Sequence, residues 1–400
     1  MPQLSRPAPA SSHDCVDALT GSQAIFPAKE FAGRIARLQA ELHPTGADAL
    51  LLTGPENIFW ATGRQTAGYF AFQALIVPVT GEPVLLVRQL EVTGARASTW
   101  VADIRVWQDG EDPAEALAAL VKEMRIGQLA IERNGWFVSQ ALATRIADTL
   151  AGVQLVDGSG LVEELRAVKS PAELDAIRKA AAYAQAGMIA AIEACRAGVS
   201  ENEVTAAMMA AAISAGSEAM AMEPLVSSGP RSGIPHATWR RRVMAKGDGV
   251  FLELAASHDR YHAALMRSVW IGQPPAEAKA MMDTALRALD AALMAMRPGA
   301  PCSAAHDAAQ SVIDAAGYTA AFRKRIGYSM GAAFAPDWGE GAILSLFSGV
   351  TQPLEPGMVF HLPATLRSYG EYTVGASETV IVTTTGIEPL STLSREMTIR

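Results

Sequence analysis

Apolar residues recur along this chain with two different periods, and the switches between them outline its elements. Phe31, Ile35, Leu38 and Leu42 fall three or four residues apart, which predicts a helix over Glu30–His43. The mostly apolar run Asp48–Thr53 follows, then Ala74–Pro78 and Pro83–Val87 on either side of Thr80-Gly81-Glu82. Each has the length and composition of a buried strand. Helical spacing returns at Ala114–Met124 and Val138–Leu150, with strands predicted at Gln128–Glu132 and Gln154–Asp157. Strands and helices taking turns predict an α/β domain, which closes near residue 160.

The second half has a different grammar. Ser170-Pro171-Ala172-Glu173 sets a serine at a helix N-cap, proline at the first helical position and glutamate three residues after the cap. Together they satisfy or avoid the orphan N–H groups of a helix start. The helix predicted there runs to about Arg196, with Gly198 as its stop. Ser200-Glu201-Asn202-Glu203 repeats the device for a helix to about Ser214. Strands are predicted near Glu223–Ser227, Val250–Ala256 and Leu265–Trp270, helices at Ala276–Met296 and Ser303–Ala316, and strands at Met358–Leu362, Tyr372–Val374 and Glu378–Thr383. Helices grouped apart from antiparallel-looking strands predict an α+β domain, and no repeat of fixed period appears.

Length and composition narrow the class. Four hundred residues, half of them apolar, fill two cores more naturally than one. The expected organisation is an arm at 1–27, an N-terminal α/β domain at 28–160 and a larger domain at 161–400. A net charge of −8 argues against a nucleic-acid partner. Cys15, Cys195 and Cys302 are scattered, as free thiols in a reducing compartment are. Met1–Gln23 lacks the apolar core of an export signal. The most apolar stretch, Ala181–Ala194, is broken by Gln185 and Glu193 and falls short of the ~20 residues a bilayer helix needs. The expectation is a cytoplasmic protein without a membrane partner.

Three residues stand out chemically. Glu253 interrupts the apolar run Val250–Ala255, and Glu378 opens Thr379-Val380-Ile381-Val382. A carboxylate in such a strand is costly unless it is paired, protonated, used or at a wet edge. His236 follows Pro235 in a loop where Gly233 allows a tight turn, a rigid presentation suited to acid–base work or simply a surface histidine. No HExxH, Cys/His cluster or phosphate-binding glycine run is present, so neither a motif-borne metal nor any other cofactor is expected.

Taken in order, the motifs resemble those of the creatinase/prolidase/methionine-aminopeptidase superfamily. They are Phe26-Pro27-Ala28-Lys29-Glu30-Phe31, Leu165-Arg166-Ala167-Val168-Lys169-Ser170-Pro171, Pro235-His236, Lys246-Gly247-Asp248, Tyr261-His262 with Arg267-Ser268, Leu354-Glu355-Pro356-Gly357-Met358-Val359 and Glu378-Thr379-Val380-Ile381-Val382-Thr383. The resemblance spans roughly residues 28 to 395 and implies a C-terminal pita-bread domain behind a smaller creatinase-like α/β domain, an α+β protein as a whole. Metallopeptidases of the superfamily hold two metal ions through two Asp, one His and two Glu. On this chain the resemblance places those positions at Glu253, Ala264, Tyr328, Pro363 and Glu378, leaving too few ligands for a dinuclear site.

What remains resembles the metal-free branch, which includes creatinase and the ectoine hydrolases. The segments Phe251–Ala255, Arg260–Ala263 and Arg325–Gly331 running into Pro336–Glu340 look closer to ectoine hydrolases, whereas Pro363–Glu371, expected to line the pocket, departs from them. The implied activity is metal-independent hydrolysis of a C–N bond in a small amidine or guanidine that carries a carboxylate, with ectoine ring opening to N-acetyl-diaminobutyrate foremost. Glu253 would attack the cationic carbon or orient water, Glu378 would help hold the cation, and His236 would carry protons. Arg267, or Arg64 from the first domain, would clamp the substrate carboxylate. Tyr69, Tyr261, His262, Tyr328, Asp337 and Trp338 are the remaining expected pocket residues. The resemblance also implies a homodimer in which the loop Gly63–Phe70 of the partner subunit partly closes the pocket. A creatinase-type amidinohydrolase, a lyase acting on a zwitterionic osmolyte and a non-catalytic binding protein stay open on the same scaffold.

Overall fold

The structure, a computed structural model, describes residues 20–400, so Cys15 and most of the expected arm lie outside the described residues. It divides into two compact units, Met1–Leu165 and Arg166–Arg400.

In the first unit, β1 (Ala49–Leu52), β2 (Ala74–Pro78), β3 (Val84–Arg88), β4 (Asp103–Trp107), β5 (Gln128–Ile131) and β6 (Gln154–Asp157) form one mixed sheet in the order β4-β3-β2-β1-β5-β6. Leu50, Leu52, Leu75, Val77, Leu85 and Val87 point to one face, beneath the helix Ala28–Leu42. Ala49, Leu51, Ile76 and Leu86 point to the other, where the helices Pro113–Glu123 and Gln140–Thr149 supply Leu117, Val121 and Ile146. Burial on both faces is why these strands read as continuous apolar runs. The helices Pro55–Thr62 and Val92–Ser98 and strand β4 were not legible in the pattern. The first is buried on nearly all sides, polar Asn57 and Thr62 included, so it shows no apolar stripe, and the second is less than two turns long.

The second unit pairs two antiparallel-based sheets with two helix pairs. β7 (Leu225–Ser228), β8 (Gly249–His258) and β9 (Tyr261–Trp270) form one sheet, completed by β15 (Thr398–Ile399) parallel to β9. β10 (Gly327–Ser329), β11 (Ser345–Leu346), β12 (Val359–Ser368), β13 (Tyr372–Val382) and β14 (Ile387–Pro389) form the other, in the order β11-β10-β12-β13-β14. The helices Pro171–Ala194 and Glu201–Ala215 cover Val250, Leu252, Leu254, Leu265 and Val269 of the first sheet. The helices Ala276–Ala295 and Ser303–Ala315 cover Phe360, Leu362, Ala364, Val374, Ala376 and Val380 of the second. Both predicted capping boxes form, with Ser170 and Ser200 each exchanging hydrogen bonds with the glutamate three residues on.

Several strands run further than their patterns suggest. β8 and β9 pair from Gly249↔Trp270 to His258↔Tyr261, joined by Asp259-Arg260 with φ of 49° and 65°. That is a two-residue hairpin turn made without the usual glycine, so nothing marked it in the sequence. β13 does not break at Gly375 but passes through it, because a Cβ there would strike the Ala364 carbonyl of β12.

Candidate active site

Strand alternation decides what faces the space inside the second unit. On β8 the even positions pack on helices, which turns Phe251 and Glu253 the other way. On β12 the even positions again meet helices, and Pro363, Thr365 and Arg367 turn inward. These residues, with Tyr328 of β10 and the loop residues Asp337 and Trp338, line a cavity of about 1060 Å³. His236 stands exposed at its mouth.

Glu253 is mostly buried, and its Oε1 lies 3.5 Å from Nε2 of His361, the inward-facing residue two before Pro363. The Thr379 hydroxyl donates to the Ala264 carbonyl at 2.8 Å, so Nδ1 of His361, 3.2 Å from that oxygen, is the ring's donor there. Nε2 is then the atom turned to the carboxylate. Burial lowers the His361 pKa, and Glu253 works against that shift. Trp338 Nε1 donates to the Tyr328 hydroxyl at 2.9 Å, and burial of that phenol, reinforced by Glu253, raises its pKa well above the usual tyrosine range. The loop carrying Asp337 and Trp338 is tied down at Glu340, which accepts from Arg166 at 2.6 Å and Lys169 at 2.8 Å, all three buried.

His236 adopts a φ of 56°, a left-handed conformation that costs a non-glycine residue about 1 kcal/mol or more. Gly233, expected to provide a tight turn, serves another purpose: a Cβ there would come within 2.5 Å of the Glu371 amide. It lets the His236 loop lie against the β12–β13 hairpin, where Gly370 N–H donates to the Gly233 carbonyl at 3.2 Å.

His236, Glu253, Tyr328, Asp337 and Trp338 are thus brought together. Four other expected site residues of this unit are not. Glu378 pairs with Leu362 across β12–β13 and shares the helix-facing side with Ala376 and Val380. There it receives Arg267 at 3.1 Å and Arg395 at 2.9 Å, so it is an internal ion-pair residue, not a partner of Glu253 in the cavity. The residue of β13 next to it that faces the other way is Ser377, whose hydroxyl accepts the Met266 N–H at 2.7 Å. Arg267 is consumed by Glu378 and by the carbonyls of Met266, Ser377, Leu393 and Ser394, which leaves it no role as a carboxylate clamp. The Tyr261 hydroxyl donates to Glu173, and His262 accepts the Ala221 N–H at Nε2; both are fully buried away from the cavity lining. Arg64 and Tyr69 belong to the first unit, where Arg64 donates to Glu91 at 2.9 Å and Tyr69 stacks edge-on against Phe137.

Lys324 and Arg367 both stand in the cavity wall; Arg367 falls in the segment Pro363–Glu371 expected to line it, whereas Lys324 and His361 have no role in the expected site. Period-two alternation from Pro363 would have found His361 and Arg367; Lys324 lies in an irregular segment with no such signal. The donor set does not fit a metal ion. Among the described residues no three His, Cys, Asp or Glu side chains are grouped to hold one, and Glu253 has Lys324, Arg325 and Arg367 as neighbours in the lining.

Comparison with known proteins adds descent to this geometry. The model of metallopeptidase family M24 matches residues 175–384, and that of the creatinase/prolidase N-terminal domain matches 34–168. The ectoine hydrolase of Halomonas elongata is 27% identical over 396 residues, covering 94% of this chain and 98% of that protein. Dipeptidase PepE from Mycobacterium ulcerans matches in structure with a TM-score of 0.80 at 26% identity, over 94% of this chain and 99% of that one. A prolidase from Thermococcus sibiricus matches with a TM-score of 0.84 at 24% identity, over 94% and 100% of the respective chains, which is likeness of fold.

Proposed function

We propose hydrolysis of a non-peptide C–N bond without a bound metal, on the premise that the chain belongs to metallopeptidase family M24 and carries its creatinase/prolidase N-terminal domain. Membership makes the protein a pita-bread hydrolase; bond type, substrate and metal independence are the proposal. The observation that carries it is the single interior carboxylate, with Asp337 at the exposed rim. Glu253 opens into a cavity whose other interior charges, half-buried, are cationic, a donor set unsuited to two metal ions but suited to direct chemistry on a small substrate.

The substrate proposed is a small amidine bearing a carboxylate, with ectoine the first candidate because an ectoine hydrolase aligns over nearly the whole chain. Either Glu253 directs water to the amidine carbon, or it adds to that carbon itself and a water then cleaves the Glu253–substrate bond; in both cases one C–N bond breaks and the leaving nitrogen takes a proton. His236 at the mouth and His361 behind Glu253 are the proton carriers at hand. With ectoine the product is N-acetyl-diaminobutyrate. The acting unit in this reading is a homodimer, supported by the exposed aromatics Phe70 and Trp136 of the first unit.

The test offers ectoine, hydroxyectoine and creatine to the purified protein, with elemental analysis of the same sample. Ring opening that survives chelation is expected, together with a loss of ~10²–10⁴-fold in kcat for His236→Ala. Stoichiometric zinc, manganese or iron whose removal abolishes activity would refute metal independence. Urea from creatine with no ring opening would assign a creatinase-type reaction instead.

A further inference from the structure

The cavity contains a charge imbalance that a zwitterion does not balance. Lys324, Arg325 and Arg367 line its interior half-buried, against one interior carboxylate, Glu253; Arg323 and Asp337 add one charge of each sign at the exposed rim. None of the three interior cations has a carboxylate within ion-pair distance among the described residues. Lys324 Nζ donates to the Pro363 carbonyl at 2.7 Å. Arg325 lies over the Tyr328 ring at 5.0 Å and Arg367 over the Phe251 ring at 5.9 Å, and Nε of Arg367 is buried with no hydrogen-bond partner. Other buried cations of this unit do have carboxylate partners, as Arg166 and Lys169 have in Glu340 and Arg267 in Glu378.

Gathering unpaired cations around one cavity is unfavourable until an anion enters, and guanidinium groups lying on aromatic rings are held ready to receive one. We infer that the cavity is built for a small substrate of net negative charge, an amidine or amide with two carboxylates, one of them bound between Lys324 and Arg367 beside Glu253. The inference rests on the hydrolase reading for the reacting bond only; the anion preference follows from the lining, and by it ectoine, a net-neutral zwitterion, would be turned over less readily than a relative with a second carboxylate. Electrostatics agree. Burial lowers the Lys324 pKa to about 7, with Arg367 and Arg325 adding to the shift and Glu253 opposing it. An arriving carboxylate would therefore draw a proton onto Lys324 near neutral pH.

Calorimetric titration with glutarate, glutaramate and glutaramide tests this without turnover, since the three match in shape and differ in charge. Glutarate is expected to bind about tenfold or more tightly than glutaramate, and glutaramide to give no binding at millimolar concentration. Proton uptake on glutarate binding, seen as a dependence of the heat on buffer ionisation enthalpy, is expected near neutral pH. R367M and K324M should each weaken glutarate about tenfold and erase its advantage over glutaramate. If R367M fails to fold by circular dichroism, R325M takes its place. Equal affinity for the three probes, no binding of glutarate at millimolar concentration, or glutarate binding untouched in the folded variants would overturn the inference. Failure of ring opening with this charge preference intact would sink the ectoine reading alone.

Discussion

Glu253 and Glu378 each interrupt an apolar strand, and their local sequences make them look equivalent. One inward and one outward position separate them chemically. Glu253→Gln is expected to remove ~10²–10⁴-fold of kcat with the fold retained. Glu378→Gln is expected to leave the surviving folded protein active but to lower its stability by about 3 kcal/mol or more, because Arg267 loses its partner while still buried. Urea titration alongside steady-state kinetics separates the two, and the reverse pattern would contradict the assignment of roles. His262 supplies a pH-dependent prediction. Burial lowers its pKa from 6.5 to about 4. Between those values the unfolded chain binds the proton and the folded one does not, so stability rises with pH across that window and is complete above it. The contribution is on the order of 3 kcal/mol, lost as pH falls toward 4. A His262→Gln variant should show a flatter stability profile over that range, and a profile parallel to the parent's would contradict it.

Among elements, the segment Pro336–Glu340 matters most, since it brings Asp337 and Trp338 to the cavity. It has no regular hydrogen-bond ladder along its length; its anchor is Glu340 between Arg166 and Lys169. Replacing Glu340 by Ala leaves two cations buried without their carboxylate, which should cost ~3–5 kcal/mol. The denaturation midpoint should drop accordingly, and the Trp338 environment should loosen in fluorescence; an unchanged midpoint would show that the anchor is dispensable. The helix starts at Ser170 and Ser200 were legible because a capping box is a local hydrogen-bond device. The length of β13 was not, because Gly375 reads as a strand breaker until the close approach of β12 is known.

For the whole molecule, the described residues contain no helix long and apolar enough to cross a membrane. The proposed dimer makes a direct prediction. Phe70 is 80% exposed and Trp136 59% exposed, which leaves two large aromatics open to a partner surface. Light scattering should give a dimer, and Phe70→Asp should shift it toward monomer with a loss of activity; a fully active monomeric parent would refute the arrangement. The two-part organisation, the α/β character of the first unit, the α+β character of the second and the membership of the superfamily were all determined by the sequence alone. Those features depend on local periodicity, caps and motif order, which act within a few residues of each other. Which charged groups meet was decided only by the tertiary structure. Whether Glu378 or Glu253 enters the cavity turns on a one-residue parity set by strand register, and the convergence of Lys324, Arg325 and Arg367 on one space requires β10 and β12 to lie side by side.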